Sequence, residues 1–121
     1  MERIFGDRGI AGKLLNSAGI TFRYTGFWYL IDTVELILKD EPEEFMVTKD
    51  LYPVIANMNH VSSCSVEHAI RNAIKCGWET KDATGCLSEI WEDFDSRPTN
   101  MQFINSLMEH TKNISNDHNL H

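Results

Sequence analysis

Apolar residues recur along this chain at helical spacing, and no stretch of useful length alternates in the manner of a strand. The clearest period lies between Ser63 and Trp78, where apolar or small residues stand at i, i+3, i+4, i+7, i+8, i+11 and i+12. They are Val66, Ala69, Ile70, Ala73, Ile74, Gly77 and Trp78. This spacing predicts an amphipathic helix over residues 63–78. Its small residues at 69, 73 and 77 predict a close approach by another helix.

Three helices are predicted before this one. The first is short and is ended by Gly19, and the second is capped by Thr25 and has an apolar face broad enough to pack on two sides. The third runs from about Thr48 to Met58, with Pro53 about one turn in, where a missing N–H costs least. The predicted inward positions are Ile10, Leu14, Leu15 and Ala18, then Phe27, Trp28, Leu30, Ile31, Val34, Ile37 and Leu38, then Leu51, Val54, Ile55 and Met58.

The fourth helix, over residues 63–78, follows a short turn at 59–62 and takes Ser62 or Ser63 as its cap, with Glu67 in its first turn. Two more helices are predicted after it. A capping box at 99–102 starts the sixth helix, which runs to about Lys112. The inward positions are Ala83, Cys86, Leu87, Ile90 and Trp91 for the fifth helix, and Phe103, Ile104, Leu107, Met108 and Thr111 for the sixth.

The predicted fold class is all-α: a six-helix bundle that contains a helix-turn-helix unit. The third and fourth helices, joined by a short turn, form that unit, with the fourth in the recognition position. The length of 121 residues fits one domain with one core. We assign residues 1–8 to a loose lead-in, 9–114 to the domain and 115–121 to a frayed tail.

The chain is acidic, with a net charge of −7 at pH 7. This balance argues against a large basic footprint for nucleic acid, but the acids are unevenly placed. Seven acids and two bases lie within residues 32–50, and four acids and no base lie within 89–95. Within 60–81, three Lys or Arg residues outnumber two Glu. The fourth helix is therefore the least acidic part of the protein.

Candidate catalytic and metal-binding groups are few. His60, Cys64 and His68 are spaced i, i+4, i+8, but His60 precedes the helix cap and no fourth ligand is evident, so we predict no metal site. No acid–base pair and no Gly-rich phosphate loop can be assembled. We therefore predict neither an enzyme nor a cofactor.

The cysteines and the overall hydropathy indicate the compartment. Three cysteines without a CxxC pair do not make a disulfide framework, which favours a reducing cytoplasm. Cys76, Cys86 and the three tryptophans are interpreted as core residues rather than reactive or base-stacking groups. No run approaches the about 20 apolar residues that a membrane helix needs, and the N-terminus lacks the apolar core of a signal peptide.

The polar face of the fourth helix fits two roles. Its side chains are His68, Arg71, Asn72, Lys75 and Glu79. On an ordinary solvated face, Glu67 and Arg71 would pair at i, i+4. On a recognition face, the same side chains would read base edges in a DNA groove. Spacing alone favours the solvated face, because motif matches often mislead.

Several stretches resemble a known family. LYPVIANMN, SVEHAIRNAIKCGW and SRPTNMQFINSLM, with FWYLIDTVELIL before them, are similar to the C-terminal effector domain of the master sporulation response regulator of endospore-forming bacteria. The most specific pieces are Tyr52-Pro53, the V-E-x-A-I-R-x-A-I run that ends in Trp78, and the R/K-P-T-N box at 97–100. The resemblance covers roughly residues 8–112.

The resemblance implies an all-helical, helix-turn-helix transcription factor that reads a short promoter box and binds tandem sites as a dimer. It implies that Glu67 and Arg71 meet the bases and that Arg97 lies near the DNA backbone. His68 stands where the family typically has Arg, and Asn72 stands where a His is typical. Because Arg is the usual bidentate reader of guanine, His68 would remove about 1–3 kcal/mol of discrimination at one base pair.

With this resemblance, a DNA-reading face becomes the favoured interpretation, with the helix over about 63–78 in the major groove. The expected base contacts are Glu67, His68, Arg71 and Asn72, and the expected phosphate or orienting contacts are Ser63, Ser65, Lys75 and Arg97. The expected partners are a double-stranded promoter box, a second copy on tandem sites, and RNA polymerase or a full-length regulator. No membrane partner is expected.

The alternative is a protein-interaction module. Full-length members of the family carry an N-terminal receiver domain, for which 121 residues leave no room, and Met1 with its own lead-in favours a stand-alone effector over an excised fragment. Such a relative would pair with a full-length regulator and modulate it without strong DNA binding. The net charge of −7 favours this alternative.

Overall fold

The structure, a computed structural model, describes residues 6–40, 51–82 and 89–119. Within these ranges the secondary structure is helical and contains no strand. The helices are α1 (Asp7–Ser17), α2 (Thr25–Asp40), α3 (Tyr52–Asn59), α4 (Ser63–Thr80), α5 (Glu89–Glu92) and α6 (Asn100–Asn119). These six helices of the described residues confirm the predicted all-α class.

α1 ends at Ser17, and Gly19, just after the cap residue Ala18, terminates it as the sequence predicts. Gly19 has a φ of 85°, in the left-handed region that favours glycine. The amides of Gly19 and Ile20 donate to the carbonyls of Asn16 and Leu15, at 3.0 and 2.9 Å. This is the hydrogen-bond pattern of a left-handed helix end. Ile20 is fully buried, so the helix end is anchored in the core.

α1 begins earlier than predicted. Its first residue is Asp7, inside the segment that the sequence assigned to a lead-in. The Arg8 guanidinium lies 2.9 Å from a carboxylate oxygen of Asp32 and 2.6 Å from one of Glu35, both on α2. These contacts hold the first turn of α1 against α2. These ion pairs could not be predicted from a local sequence pattern, because Asp32 and Glu35 lie 24 and 27 positions from Arg8.

α2 is the central helix and packs against α1, α3, α4 and α6, which its broad apolar face predicted. The prediction that Trp28 points inward is wrong, because its side chain is 48% exposed. Its indole N–H donates to the Phe22 carbonyl at 3.1 Å, which satisfies this donor at the surface. Tyr29 and Thr33 are buried in its place. Thr25 is the first residue of α2 rather than the cap before it.

The close approach predicted for α4 is made by α2. A Cβ placed on Gly26 would stand 2.3 Å from the carbonyl oxygen of Ala69 and 2.9 Å from the Cβ of Ala73. A Cβ placed on Gly77 would stand 2.9 Å from the indole of Trp91. Positions that carry no side chain or a methyl group therefore set the distance between α4 and its neighbours.

The inward positions predicted for α3 are confirmed in part, because Leu51 and Ile55 are fully buried. The predictions for Val54 and Met58 are wrong, because these residues are 42% and 51% exposed. The buried residues of the helix itself are Tyr52, Ile55 and Ala56, so its buried face is turned towards the large aromatic side chain of Tyr52. Pro53 is within the first two residues of α3, and the predicted start at Thr48 lies outside the described residues.

A three-residue turn at 60–62 joins α3 to α4. His60 has a φ of 57°, a left-handed conformation in a non-glycine residue. The amide of Val61 donates to the Ala56 carbonyl at 3.0 Å, which closes the end of α3. Ser62 then caps α4, because its Oγ accepts the N–H of Ser65 at 3.1 Å. The predicted serine cap is therefore confirmed.

α6 starts with the predicted capping box. The Thr99 amide donates to Gln102 Oε1 at 3.0 Å, and the Gln102 amide donates to Thr99 Oγ1 at 3.1 Å. The helix continues to Asn119, inside the segment predicted as a frayed tail. It continues because neither Gly nor Pro follows Lys112 to end it.

α5 has four described residues and connects α6 to the end of α1. The indole N–H of Trp91 donates to the buried carbonyl of Ala18 at 2.9 Å. The rest of the predicted fifth helix, including Cys86, lies outside the described residues. Cys76 and Trp78, predicted as core residues, are half-buried.

Candidate nucleic-acid interface

α4 carries seven of the eight predicted contacts, and five of these seven are exposed. Four of the exposed residues are His68, Arg71, Asn72 and Lys75, and Glu67 beside them is half-buried. The four exposed residues follow i, i+3, i+4 and i+7, so they share one helical face. The buried face consists of Val66, Ile70, Ala73, Ile74 and Gly77. α4 thus presents polar side chains to solvent while its other face is fixed in the core.

Arg71 is engaged by its neighbours on α4. Its Nη2 atom lies 3.1 Å from Glu67 Oε1, which is the predicted i, i+4 pair. The same nitrogen lies 3.3 and 3.4 Å from the two ring nitrogens of His68. Because the Arg71 and Glu67 side chains are 53% and 33% exposed, this pair contributes only about 0.3–0.5 kcal/mol. It orients the guanidinium without removing it from solvent.

Glu67 does not have the position at the helix start that the sequence analysis assigned to it. α4 begins at Ser63, so Glu67 is its fifth residue, and the first turn carries no acidic side chain. Stabilisation by the helix dipole fades within that first turn. The Glu67 carboxylate therefore acts on Arg71 rather than on the helix terminus.

The fold brings Arg97 beside Arg71. An open cavity of about 430 Å³ lies between α4 and the start of α6. Glu67 and Arg71 line it from α4, Tyr52 from α3, and residues 97–101 from the loop and first turn of α6. Arginine binds anionic oxygens through several N–H groups at once. Arginines that line one concave surface suit the oxygen atoms of DNA, both of the phosphates and of guanine edges.

Asn100 connects the Arg97 loop to both helices. Its Nδ2 donates to the Tyr52 hydroxyl at 3.0 Å and to the Glu67 carbonyl at 3.1 Å. Burial raises the pKa of Tyr52, and the hydrogen bond from Asn100 opposes that shift. The hydroxyl therefore stays neutral. Neither Tyr52 nor Asn100 was predicted as a site residue, although both stand in the motifs that carry the family resemblance.

The predicted phosphate contacts at the start of α4 differ in their surroundings. Ser65 is exposed, and its amide and hydroxyl lie 3.1 and 3.0 Å from the Oγ of Ser62. Ser63 is half-buried. Lys75 is exposed one turn beyond Arg71 and is not among the described residues that line the cavity. Arg71 and Arg97 are thus the two predicted cations that the structure brings together.

Residues 11–111 match the sequence model of a family described as "Sporulation initiation factor Spo0A C terminal". The chain belongs to this family. The match confirms the resemblance, and with it the class of DNA-binding transcription regulators of sporulation. The Spo0A C-terminal family is a family of DNA-binding effector domains and not of enzymes. In the part of the chain that the structure describes, no helix has the length and apolarity to span a membrane.

The two positions at which the resemblance implied a departure from the family lie on one surface of α4. His68 and Asn72 are both on the exposed face. The apolar positions of the V-E-x-A-I-R-x-A-I run, Val66, Ile70 and Ile74 among them, are buried. The side chains at 68 and 72 therefore affect what α4 presents to solvent and not how it packs.

Proposed function

We propose that this protein binds double-stranded promoter DNA in a sequence-dependent way, with α4 in the major groove. The observation that supports it most is the arrangement of Arg71 and Arg97 on one cavity beside the exposed face of α4. In this proposal Glu67, His68, Arg71 and Asn72 meet base edges, and Arg97 contacts a phosphate. Ser63, Ser65 and Lys75 contact the backbone or fix the orientation of the helix.

A gel shift with Arg71→Ala tests the proposal. The probe is a duplex that carries the family's promoter box, and a scrambled duplex of the same composition reports non-specific binding. We expect wild type to prefer the box and Arg71→Ala to lose about 1–3 kcal/mol of that preference, because a bidentate base contact is removed. Lys112→Ala removes an equal charge on α6, about three turns from Asn100, and is expected to bind as wild type does.

Two outcomes overturn the proposal. In the first, wild type shifts neither duplex at any protein concentration tested. In the second, Arg71→Ala and wild type bind both duplexes with equal affinity. A tandem-box duplex in the same assay reports whether two copies bind side by side, which is the dimer that the proposal includes.

The net charge of −7 favours a second function, a module that binds another protein of the transcription machinery. The salt dependence of binding separates the two functions. Phosphate contacts release counterions, so the logarithm of the affinity for DNA falls by about 0.9 per contact for each tenfold rise in salt. An interaction module instead co-purifies with a full-length regulator or RNA polymerase and gives no such DNA-binding slope.

A further inference from the structure

We infer that Asn100 is a positioning residue for DNA binding: its side-chain amide sets the place of Arg97 relative to α4. The inference rests on the proposed function and adds to it a residue that does not itself contact DNA. Its basis is the pair of hydrogen bonds that Asn100 makes to α3 and α4.

The two hydrogen bonds use the whole donor capacity of one amide. The Nδ2 group has two protons, and the structure places a Tyr52 hydroxyl at 3.0 Å and the Glu67 carbonyl at 3.1 Å from it. The Tyr52 side chain is buried, so this acceptor is fixed in the core. Glu67 is the residue whose carboxylate holds Arg71 at 3.1 Å. One side chain therefore joins the start of α6 to the α4 turn that carries Arg71.

The backbone between Asn100 and Arg97 is constrained, so the position of Asn100 determines the position of Arg97. Pro98 is buried and its ring fixes φ. Thr99 is held by the reciprocal hydrogen bonds of the capping box with Gln102. Few backbone torsions remain free between the amide and the Arg97 Cα. A shift of Asn100 away from Tyr52 and Glu67 would therefore carry Arg97 away from Arg71.

A purely stabilising role for Asn100 makes a different prediction. If the two hydrogen bonds only stabilise the fold, their loss lowers the free energy of unfolding and affects DNA binding independently of Arg97. If they position Arg97, their loss affects DNA binding only while the Arg97 side chain is present. A double-mutant cycle on DNA affinity separates these roles, because it measures the interaction between the two sites.

The experiment measures the dissociation constant of the promoter-box duplex at several salt concentrations for wild type, Asn100→Ala, Arg97→Ala and the double variant. We expect each single variant to lose about two- to tenfold in affinity, the size of one hydrogen-bonded contact. The double variant is expected to bind no more weakly than Arg97→Ala. All three are expected to lose about 0.9 from the slope of log affinity against log salt, which a stability defect alone would not change.

Two further variants keep the test decisive. Tyr52→Phe removes one acceptor of the Asn100 amide without changing any charge, and is expected to show the same non-additivity with Arg97→Ala. Tyr52→Phe replaces Asn100→Ala in the double-mutant cycle if the circular dichroism of Asn100→Ala shows less helix than that of wild type. Asn105→Ala makes the same substitution as Asn100→Ala at an exposed position of α6 and is expected to leave affinity and slope unchanged.

The inference is overturned if the effects of Asn100→Ala and Arg97→Ala add, or if Asn100→Ala leaves the salt slope at its wild-type value. It is also overturned, while the proposed function stands, if Arg71→Ala weakens binding and Arg97→Ala does not. Failure of wild type to bind the duplex overturns the proposed function and the inference together, and so is distinguished from these results.

Discussion

His68 lies in the middle of the exposed face of α4, with 71% of its side chain accessible to solvent. Its ring nitrogens lie 3.3 and 3.4 Å from Arg71 Nη2, and Nε2 lies 4.0 Å from the Glu67 carboxylate. An imidazole offers at most one contact to a guanine edge where an arginine offers two. Under the proposed function, this residue affects which base pair is preferred rather than whether the helix folds.

We predict that His68→Arg increases the preference for a duplex with guanine at the contacted position by about 1–3 kcal/mol, because a second bidentate reader is added. The measurement is a competition gel shift between the guanine duplex and one with that pair replaced by A·T. His68→Lys is the matched control, since it adds the charge without the planar fork of donors. Equal gains for both variants on both duplexes would show an effect of charge alone.

Local signals at single residues were predictable from the sequence, and long-range ones were not. The Ser62 cap and the box at 99–102 involve partners three positions apart, so a short window contains them. Asn100 meets Tyr52 across 48 positions and Glu67 across 33. No helical period relates positions so far apart. The motifs of the family resemblance contain all three residues, but they do not show that Asn100 contacts the other two.

At the scale of elements, the distance between α2 and α4 depends on a residue without a side chain. Gly26 lies against the backbone of α4 at Ala69, closer than any Cβ can approach. Glycine inside a helix ordinarily costs about 1 kcal/mol relative to alanine. Here that cost is offset by a helix–helix distance that alanine would not permit.

We predict that Gly26→Ala destabilises the fold by about 1–3 kcal/mol, the usual cost of overpacking, despite the better helix propensity of alanine. Urea unfolding followed by circular dichroism measures the change. Gly12→Ala on α1 is the control, because its Cβ would meet only Ile31 and Phe27 at 3.7 Å, an ordinary contact. It is expected to stabilise by up to about 1 kcal/mol. A stable Gly26→Ala protein would show that α4 can move away from α2 at little cost.

The helices themselves were predictable, but not always the face that they bury. Spacing gave the buried residues of α4 and α6, where apolar positions form one stripe. On α3, both Tyr52 and Val54 are apolar enough to point inward, and the buried one is Tyr52, whose hydroxyl accepts a hydrogen bond from Asn100. On α2, Trp28 belonged to the broad stripe by spacing, but the Phe22 carbonyl holds it at the surface. Tertiary contacts therefore decided between faces that the sequence left equivalent.

At the scale of the whole molecule, a hydrogen-bonded cluster between α5 and α6 couples stability to acid pH. Asp93 accepts hydrogen bonds from Ser106 Oγ at 2.6 Å and from His110 Nε2 at 3.1 Å. The hydrogen bond from Ser106, together with the hydrogen bond and the charge of His110, lowers the pKa of Asp93 below its ordinary value of 3.8. The folded state therefore binds this proton less readily than the unfolded chain does. Asp93 contributes stability above pH 3.8, and that contribution is lost as the pH falls through the lower folded-state value.

We predict that Asp93→Asn flattens the dependence of the melting temperature on pH below about 4, because the proton-linked contribution is removed. Thermal unfolding from pH 2 to 7 measures it. The exposed Asp95→Asn, in the same loop, is the control and is expected to retain the wild-type slope. An Asp93→Asn curve parallel to wild type over the acid range would contradict the assignment.

The all-α architecture was predictable because a helical period is a local property of the sequence, and no stretch of useful length alternates like a strand. The charge pattern singled out the fourth helix as the least acidic part of the protein, and its role in DNA binding stays a prediction. The meeting of Arg71 and Arg97 on one cavity was not predictable from spacing, since it depends on how α6 docks against α3 and α4. The family resemblance predicted both residues as DNA contacts, and the structure adds that they line the same cavity.

The small residues along the back of α4 have a consequence for engineering. Gly26 of α2 lies against Ala69 and Ala73, and Gly77 lies against Ile20 and Trp91, so the back of α4 is closely packed. If α4 reads promoter DNA as proposed, its outward side chains can be exchanged while this packing is kept constant. A library randomised at positions 68, 72 and 75 would explore new target sequences within one fold, with each member compared directly against the parent.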